Sequence, residues 1–341
     1  MPNDFTTISV DAMGGDHAPA VVLEGVRTAL EADHGLRVLL VGPEEIIGRV
    51  VHGRCTPVPA REVISMGEHP ASAVRAKRDS SIVVGCRLVK DGEAAGFFSA
   101  GSTGACMAAA TLVMGRIHGV DRPAIAAVIP GAERPVVLLD VGANADVKPA
   151  MLVLFALMGR AYAQVVLDVD EPSIGLLNIG EEPTKGSQLA QEAHTLMRAS
   201  VPGFVGNVEG RDVPKGTVDV VVTDGFTGNV VLKTLEGLAS VLFSQIKGAL
   251  TESMTTKVGS LMIATSLKGL KSRLDPEAYG GAPLLGVDGE CVIGHGSSSA
   301  QAVANGIAVT ARAARGDLAL RIRQAIAGDA STSRDVAPPG T

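Results

Sequence analysis

The chain has 341 residues, of which 46% are hydrophobic but only 3% are aromatic, and it contains no Trp. This length allows a sizeable core, and a core of Ala, Val, Leu and Ile rather than aromatic rings is typical of a tightly packed α/β protein. The net charge of −6 at pH 7 argues against a nonspecific binder of polyanions, so no nucleic-acid partner is expected.

Short β-rich runs alternate with segments of helical spacing along the chain. The predicted strands are Thr6–Val10, Arg37–Val41, Ala95–Phe98, Ala124–Ile129, Val136–Val141, Ile174–Ile179 and Val218–Thr223. Helical spacing appears at Val22, Val26, Ala29 and Leu30, and again at Val231, Leu235, Leu238 and Leu242. Pro19, Pro43, Pro149 and either Ser102 or Thr103 mark expected helix starts. The pattern predicts an α/β fold with a mostly parallel sheet and helices on both faces.

No internal repeat or flexible linker divides the chain. Residues 1–330 are therefore expected to form a single α/β unit, and the alternative is two lobes that meet near residues 130–150. Residues 331–341 contain two Pro and almost no apolar side chain, which predicts a disordered tail.

Nothing in the sequence predicts export or a membrane span. The N-terminus lacks the basic start and long apolar run of a signal peptide. Residues 94–115 carry no charge, but Gly and Ser interrupt them, which favours a buried strand, a loop and a helix start. The cysteines are widely spaced without a CxxC pair, and we interpret them as reduced core thiols of a cytoplasmic protein. They are Cys55, Cys86, Cys106 and Cys291.

Gly-rich loops with short polar side chains follow the predicted strands. They span residues 11–16, 99–104, 140–144, 180–186 and 224–229, and a sixth, residues 295–299, precedes the last long helix. Ligands of parallel sheets bind where such loops lead into helix N-termini, because exposed amides there favour anions. The six loops together predict an anion-binding site.

The common cofactor and nucleophile motifs are missing from the sequence. GxGxxG after a strand, GxxxxGK[ST], GxSxG and HExxH do not occur. This argues against a Rossmann dehydrogenase, a P-loop NTPase, a serine acyltransferase and a zinc protease. Glu181 and Glu182 fit helix N-terminal charges better than metal ligands. We expect no metal and no cofactor.

Seven motifs resemble one known family. They are DAMGGD (11–16), SAGSTGA (99–105), LLDVGAN (138–144), GEE with the following KG (180–186), DGFTGNVVLK (224–233), YGGAPLLG (279–286) and HGSS (295–298). In this order, over about residues 8–323, they are similar to the PlsX family of bacterial phosphate acyltransferases.

The resemblance implies an enzyme that converts acyl-[acyl carrier protein] and inorganic phosphate to acyl phosphate and free carrier, for phosphatidic acid and phospholipid synthesis. It implies a homodimer with a fold like isopropylmalate dehydrogenase and phosphotransacetylase. It also implies a cytoplasmic enzyme at the inner face of the membrane, where a glycerol-3-phosphate acyltransferase uses the product. The alternative is a non-catalytic α/β protein that binds or senses acyl groups or acyl carrier protein.

Phosphate is already an anionic nucleophile, so the protein must mainly position it and stabilise the thioester oxyanion. Lys185 is the expected cation of the phosphate cradle. Asp224 and Asn229, by resemblance to phosphotransacetylase, are expected to orient phosphate, and His295 is the candidate for proton transfer to the leaving thiolate. Polar side chains at helix starts are the expected phosphate and substrate contacts, namely Ser99, Ser102, Thr103, Asn144, Ser297 and Ser298.

Residues 257–273 combine apolar side chains with four cations. Gly259 and Gly269 suggest a helix, a loop and a helix, whose tip would dock on anionic lipid. The expected membrane contacts are Leu261, Met262, Ile263 and Leu267. The alternative is a dimer or core contact.

Overall fold

The computed structural model describes residues 5–48, 53–253 and 276–332, together with the single residues 256, 259, 263, 265 and 269. Within these residues eleven strands form one sheet. The strands are β1 (Thr6–Asp11), β2 (Leu36–Gly42), β3 (Cys55–Pro59), β4 (Gly96–Ser99), β5 (Ala124–Ile129), β6 (Val136–Leu139), β7 (Ile174–Asn178), β8 (Phe204–Glu209), β9 (Val220–Val222), β10 (Ala282–Leu285) and β11 (Glu290–Ile293).

The helices connect these strands. They are α1 (Ala20–Ala32), α2 (Glu44–Ile47), α3 (Pro70–Ala76), α4 (Ser81–Lys90), α5 (Thr103–Ala109, continued by a π-helical turn over Ala110–Met114), α6 (Pro149–Val166), α7 (Gln188–Ser200), α8 (Gly225–Thr251), α9 (Ala300–Arg315) and α10 (Leu318–Thr332). A short 3₁₀ helix covers Pro276–Tyr279.

The sheet consists of two parallel halves that run in opposite directions. Its order is β3-β2-β1-β4-β11-β10-β5-β6-β9-β7-β8. The strands from β3 to β11 are parallel to one another, as are those from β6 to β8. Between the halves, β10 and β5 pair antiparallel with their neighbours. The predicted mostly parallel sheet is confirmed.

Helices cover both faces of the sheet, as predicted. Alternate residues of β5 point to opposite faces, so Ala124 and Ala126 pack in the cluster that contains α6. Ile125 points the other way, into the cluster that contains residues of α4 and α5. Aliphatic side chains and Ala dominate both clusters, in agreement with the composition.

All seven predicted strands are present, and Pro marks three helix starts as expected: Pro19 and Pro43 are the N-caps of α1 and α2, and Pro149 is the first residue of α6. All four cysteines are buried and free. The uncharged stretch 94–115 contains β4, a loop and α5, as predicted. The strands β3, β8, β10 and β11 were not predicted. β3 contains two Pro, and β10 and β11 have only four residues each.

The helix α6 is the one described helix that is long and apolar enough to cross a membrane by length and composition alone. However, 72% of its 18-residue window is buried inside the protein. It packs against the sheet, α7 and α10, which is the environment of a core helix. Residues 333–341 lie outside the described residues, so the tail stays a prediction, as does the division into one unit or two lobes.

A buried carboxylate joins β11 to the last helix. Glu290 is 8% exposed, and its Oε1 accepts a hydrogen bond of 2.8 Å from the Ala319 amide in the first turn of α10. Burial raises the pKa of Glu290 to about 7, and the nearby charge of Asp317 also raises it, while the Ala319 amide acts in the opposite direction. The folded protein therefore holds a proton here that the unfolded chain releases at lower pH.

We expect Glu290→Gln to change how stability depends on pH. Because the folded pKa is raised, the wild-type free energy of unfolding falls as pH rises from about 4.5 to about 7. A neutral Gln should remove that fall, so the variant should gain on the order of 2 kcal/mol relative to wild type across this window. Urea unfolding at several pH values measures the difference, and a difference that does not vary with pH would contradict the burial argument.

Candidate active site

Three Gly-rich loops at the carboxyl ends of β1, β4 and β11 pack directly on one another. The Asp16 amide donates to the Gly296 carbonyl at 2.7 Å, and the Gly294 amide donates to the Ser99 carbonyl at 2.8 Å. A Cβ on Gly14 would lie 2.7 Å from the Gly101 nitrogen, so only Gly allows this close approach. The three loops therefore form one continuous edge.

Buried hydrogen bonds of Ser99 and Asp11 connect the loops of this edge. Ser99 is fully buried, and its hydroxyl donates to Asp11 Oδ2 at 2.7 Å and accepts from the Gly101 amide at 3.0 Å. Burial raises the pKa of Asp11, while its hydrogen bonds with Ser81, Ser99 and the Met13 amide lower it. The Ser99 hydroxyl is thus already engaged inside the protein.

A second group of loops surrounds the start of α8. Asp140 is fully buried and accepts from the amides of Ile125, Ala143 and Asn144. Burial raises its pKa, and these hydrogen bonds oppose the rise. The Asn144 amide group donates to Asp140 Oδ2 and to the Pro123 carbonyl, both at 2.9 Å. Asn144 therefore fixes this loop, and the residue is buried.

The DGFTGN motif begins a helix, although it was predicted as a loop. Asp224 is the N-cap of α8 and accepts from the Thr227 amide at 2.8 Å and hydroxyl at 2.7 Å. The two glycines let the helix start lie against the Asp140–Asn144 loop, because a Cβ on Gly228 would overlap the Asp140 carbonyl oxygen. The helix start is thereby held in place by backbone contact.

A cleft of about 580 Å³ lies between these two groups of loops. Its polar side chains are those of Asp16, Thr103, Asn229, Lys233, Glu236, Tyr279, His295, Ser297 and Ser298. Five of these nine were predicted from the sequence. The predicted Ser102 is next to the cleft as the N-cap of α5, where its hydroxyl accepts from the Ala105 amide.

His295 and Ser297 form a hydrogen-bonded pair in the cleft. The Ser297 hydroxyl lies 2.8 Å from His295 Nδ1, and the Ser297 amide donates to the same nitrogen at 3.3 Å. Because Nδ1 accepts, the neutral imidazole carries its hydrogen on Nε2. The ring therefore presents an N–H donor on its other side.

Lys233 was not singled out from the sequence. It lies one helical turn after Asn229, and both line the same cleft. Its ammonium group is 2.8 Å from the Glu236 carboxylate, and the two side chains are 52% and 38% exposed. Its position four residues after Asn229 could have identified Lys233 as a site residue. That spacing places the two side chains on one face only if the DGFTGNVVLK motif is helical.

Lys185 and Asp224 lie at a different place. A second cavity of about 460 Å³ on the other side of the α8 start is lined by Asp224, Thr227, Gly186 and Ser187, and Lys185 is exposed next to it. Positions 224 and 227 share one face of α8, whereas positions 229, 233 and 236 line the cleft from another face. The structure therefore separates Lys185 and Asp224 from the other predicted site residues.

Among the described residues, no group of three or more His, Cys, Asp or Glu side chains is arranged to hold a metal ion. The expectation of an enzyme without metal or cofactor stays a prediction.

Comparison with known proteins gives consistent results. The sequence model of a family described as "Fatty acid synthesis protein" matches residues 6–321. A "Phosphate acyltransferase" from Desulfitobacterium hafniense strain Y51 is 52% identical over 311 residues, covering 89% of this chain and 92% of that protein. Another, from Pelotomaculum thermopropionicum, is 50% identical over 325 residues and covers 94% of each.

Solved structures with a similar fold are phosphotransacetylases. The EutD phosphotransacetylase from Staphylococcus aureus superposes with a TM-score of 0.58 at 17% identity, over 92% of this chain and 95% of that one. A phosphotransacetylase from Streptococcus pyogenes gives a TM-score of 0.59 at 18% identity, over 91% and 94%. At such low identity these likenesses show the fold alone, and it is the fold expected from the resemblance.

We expect Gly228→Ala to destabilise the protein strongly. The new methyl group meets the Asp140 carbonyl, which the buried carboxylate network holds in place, so the cost should be at least about 3 kcal/mol. Gly248→Ala is the matched control, because the same helix leaves open space there, and it should stabilise by about 0.5 to 1 kcal/mol. Urea unfolding of both variants measures this, and similar effects for the two would rule out the backbone contact as the constraint.

Proposed function

The chain belongs to the PlsX family of phosphate acyltransferases, described as fatty acid synthesis proteins, and we propose that the cleft between its two loop groups is the active site. It is an acyltransferase that converts acyl-[acyl carrier protein] and inorganic phosphate to acyl phosphate and free carrier protein. The non-catalytic sensing alternative is not favoured, because relatives at about 50% identity are named as enzymes. The observation that carries the proposal is that polar side chains from three separate chain segments converge in one cleft.

The polar end of the cleft suits inorganic phosphate. Thr103 is the first residue of α5, and Ser297 and Ser298 directly precede the N-cap of α9, so two helix N-termini direct amide groups and partial positive charge to this end. Lys233 adds a full positive charge. Its ion pair with Glu236 is solvent-exposed and therefore weak, so the ammonium group can turn to phosphate at little cost.

The reaction needs a bond from a phosphate oxygen to the thioester carbon and loss of the sulfur. In the proposed geometry a phosphate oxygen attacks the carbonyl carbon, the C–S bond breaks, and its electron pair leaves on sulfur. The Nε2–H of His295 donates a hydrogen bond to that sulfur, and the proton that hydrogen phosphate loses ends on the thiol. Asn229 and the hydroxyl groups of Thr103 and Ser298 are positioned to donate to phosphate and to the oxyanion.

Lys233→Ala and Lys185→Ala together test which cation binds phosphate. Losing a charge-assisted contact costs about 1.5 to 3 kcal/mol, so Lys233→Ala should raise the KM for phosphate at least about tenfold. Lys185→Ala should leave it within about twofold if the cleft is the phosphate site. Steady-state formation of acyl phosphate at varied phosphate concentration measures both. The opposite result, a raised KM only in Lys185→Ala, would move the phosphate site to the second cavity and restore the sequence-based prediction.

We also propose that the enzyme is a homodimer. Apolar side chains recur along one side of the 27-residue helix α8 and stay exposed. They are Val230, Leu238, Val241, Leu242 and Ile246, with exposed fractions of 43% to 57%. An exposed apolar stripe of this kind is typical of a helix face that packs against a partner. The same stripe on a second copy of the chain would cover it in a symmetric interface.

The proposed membrane contact follows α8 directly in the chain. Ile263 is described and is 45% exposed, whereas Leu261, Met262 and Leu267 lie outside the described residues. An acyl phosphate product must reach a membrane enzyme that acylates glycerol 3-phosphate. We therefore place the enzyme in the cytoplasm, docked reversibly on the inner face of the membrane through this segment.

Leu261→Glu combined with Leu267→Glu should reduce binding to vesicles that contain anionic lipid. The new carboxylates oppose both burial in the interface and attraction to anionic headgroups, so we expect binding to fall at least about tenfold. Activity on the carrier-bound substrate in solution should stay unchanged. Vesicle sedimentation measures binding, and sedimentation velocity measures the oligomeric state. A variant that becomes monomeric or unfolds while vesicle binding persists would identify the segment as an interface or core contact.

A further inference from the structure

An uncovered strip of sheet forms the floor of the cleft beside its polar end. Within β5, five residues are buried and only Ala127 is partly exposed, and in β10 only Ala282 is partly exposed. Both strands lie in the middle of an eleven-stranded sheet, where a helix would normally cover them. Both residues line the cleft.

The strand register shows which side chains share this floor. Ala282 is opposite Ile293, and Leu284 is opposite Ile125, so these residues point to one face of the sheet. Ala127 lies two residues beyond Ile125 and shares that face. Ile293 is followed by Gly294 and then His295, so the floor begins where the polar end stops.

The lining of this floor matches an alkyl chain. The floor residues Ala127, Ala282, Ile125 and Ile293, and the wall residues Val141 and Leu232, carry no polar side-chain atom. None of these six side chains can form a hydrogen bond with the amide groups of a carrier protein's pantetheine arm, and unpaired amides are costly to bury. Methylene groups, in contrast, gain from burial on such a surface.

We propose that this strip, which we call the acyl floor, binds the fatty acyl chain of the donor and that Ala127 and Ala282 determine which chain lengths are accepted. The proposal rests on the proposed active site and adds to it the position of the acyl group. The thioester lies at the polar end near His295, and the chain extends over Ile293, Ala282 and Ala127 towards Ile125. The small side chains leave the depth that a long chain needs.

Ala127→Phe tests the acyl floor by filling it. With palmitoyl-carrier as donor, kcat/KM should fall at least about tenfold, because several methylene groups lose their contacts. With butyryl-carrier, which does not reach Ala127, kcat/KM should stay within about twofold, and the KM for phosphate should not change for either donor. Val205→Phe, on the exposed face of the edge strand β8, is the control and should leave the ratio between donors unchanged.

If Ala127→Phe does not fold, Leu232→Phe is the alternative test. Leu232 lines the cleft from α8 and is only partly buried, so a larger side chain there narrows the cleft without filling the core. Thermal melting identifies which variants are folded. Equal losses for palmitoyl and butyryl donors would overturn the proposal, because the strip would then hold a part common to all donors, such as the pantetheine arm. An unchanged donor ratio in folded variants would also overturn it. Failure of the proposed active site itself would be seen separately, as an unchanged KM for phosphate in Lys233→Ala.

Discussion

The antiparallel strand β10 is the constraint on which the site depends. It pairs antiparallel with β11 and with β5, and β5 pairs antiparallel with β6, so these two strands together join two parallel halves that run in opposite directions. The chain packs closely against neighbouring backbone just before β10 begins. Gly280 and Gly281 adopt φ angles of +74° and +120°, and a Cβ on Gly281 would lie 2.8 Å from the Ile293 carbonyl oxygen. The two glycines of the YGGAPLLG motif are therefore explained by the backbone.

The sequence was informative wherever a signal was local. Short β-rich runs identified seven strands, and Pro at helix starts identified three helices, because those features depend on neighbouring residues. The strands β10 and β11 contain Pro283 and Glu290, residue types that are disfavoured in strands, and their pairing is set by contacts distant in sequence. The opposite direction of the two halves could not be predicted for the same reason.

The site was predicted as one group of six loops, yet the structure divides them between two cavities. That division depends on which face of α8 each residue occupies. Asp224 and Asn229 are only five residues apart, but they line different cavities because the segment is helical rather than a loop. Lys185 follows a predicted strand as expected, but that strand, β7, lies beyond β9 in the sheet, so the start of α8 stands between Lys185 and the cleft. Helix phase and strand order are tertiary properties, and a loop motif alone does not contain them.

Polar side chains in these loops have two roles, and burial shows which role each one has: buried ones fix the loop backbones, and exposed ones face the cleft. Ser99 and Asn144 have their hydrogen bonds satisfied inside the protein and fix the loop backbones. His295 and Ser297 are exposed to the cleft on the frame that this buried set holds rigid. Donors held in place before substrate arrives need little reorganisation as charge develops on the oxyanion. An alkyl chain on the adjacent acyl floor would also exclude water from the polar end, and lower local dielectric strengthens each hydrogen bond to phosphate. Binding of the long chain and stabilisation of the reacting groups would thus support each other, since both require the same uncovered strip beside the same rigid loops.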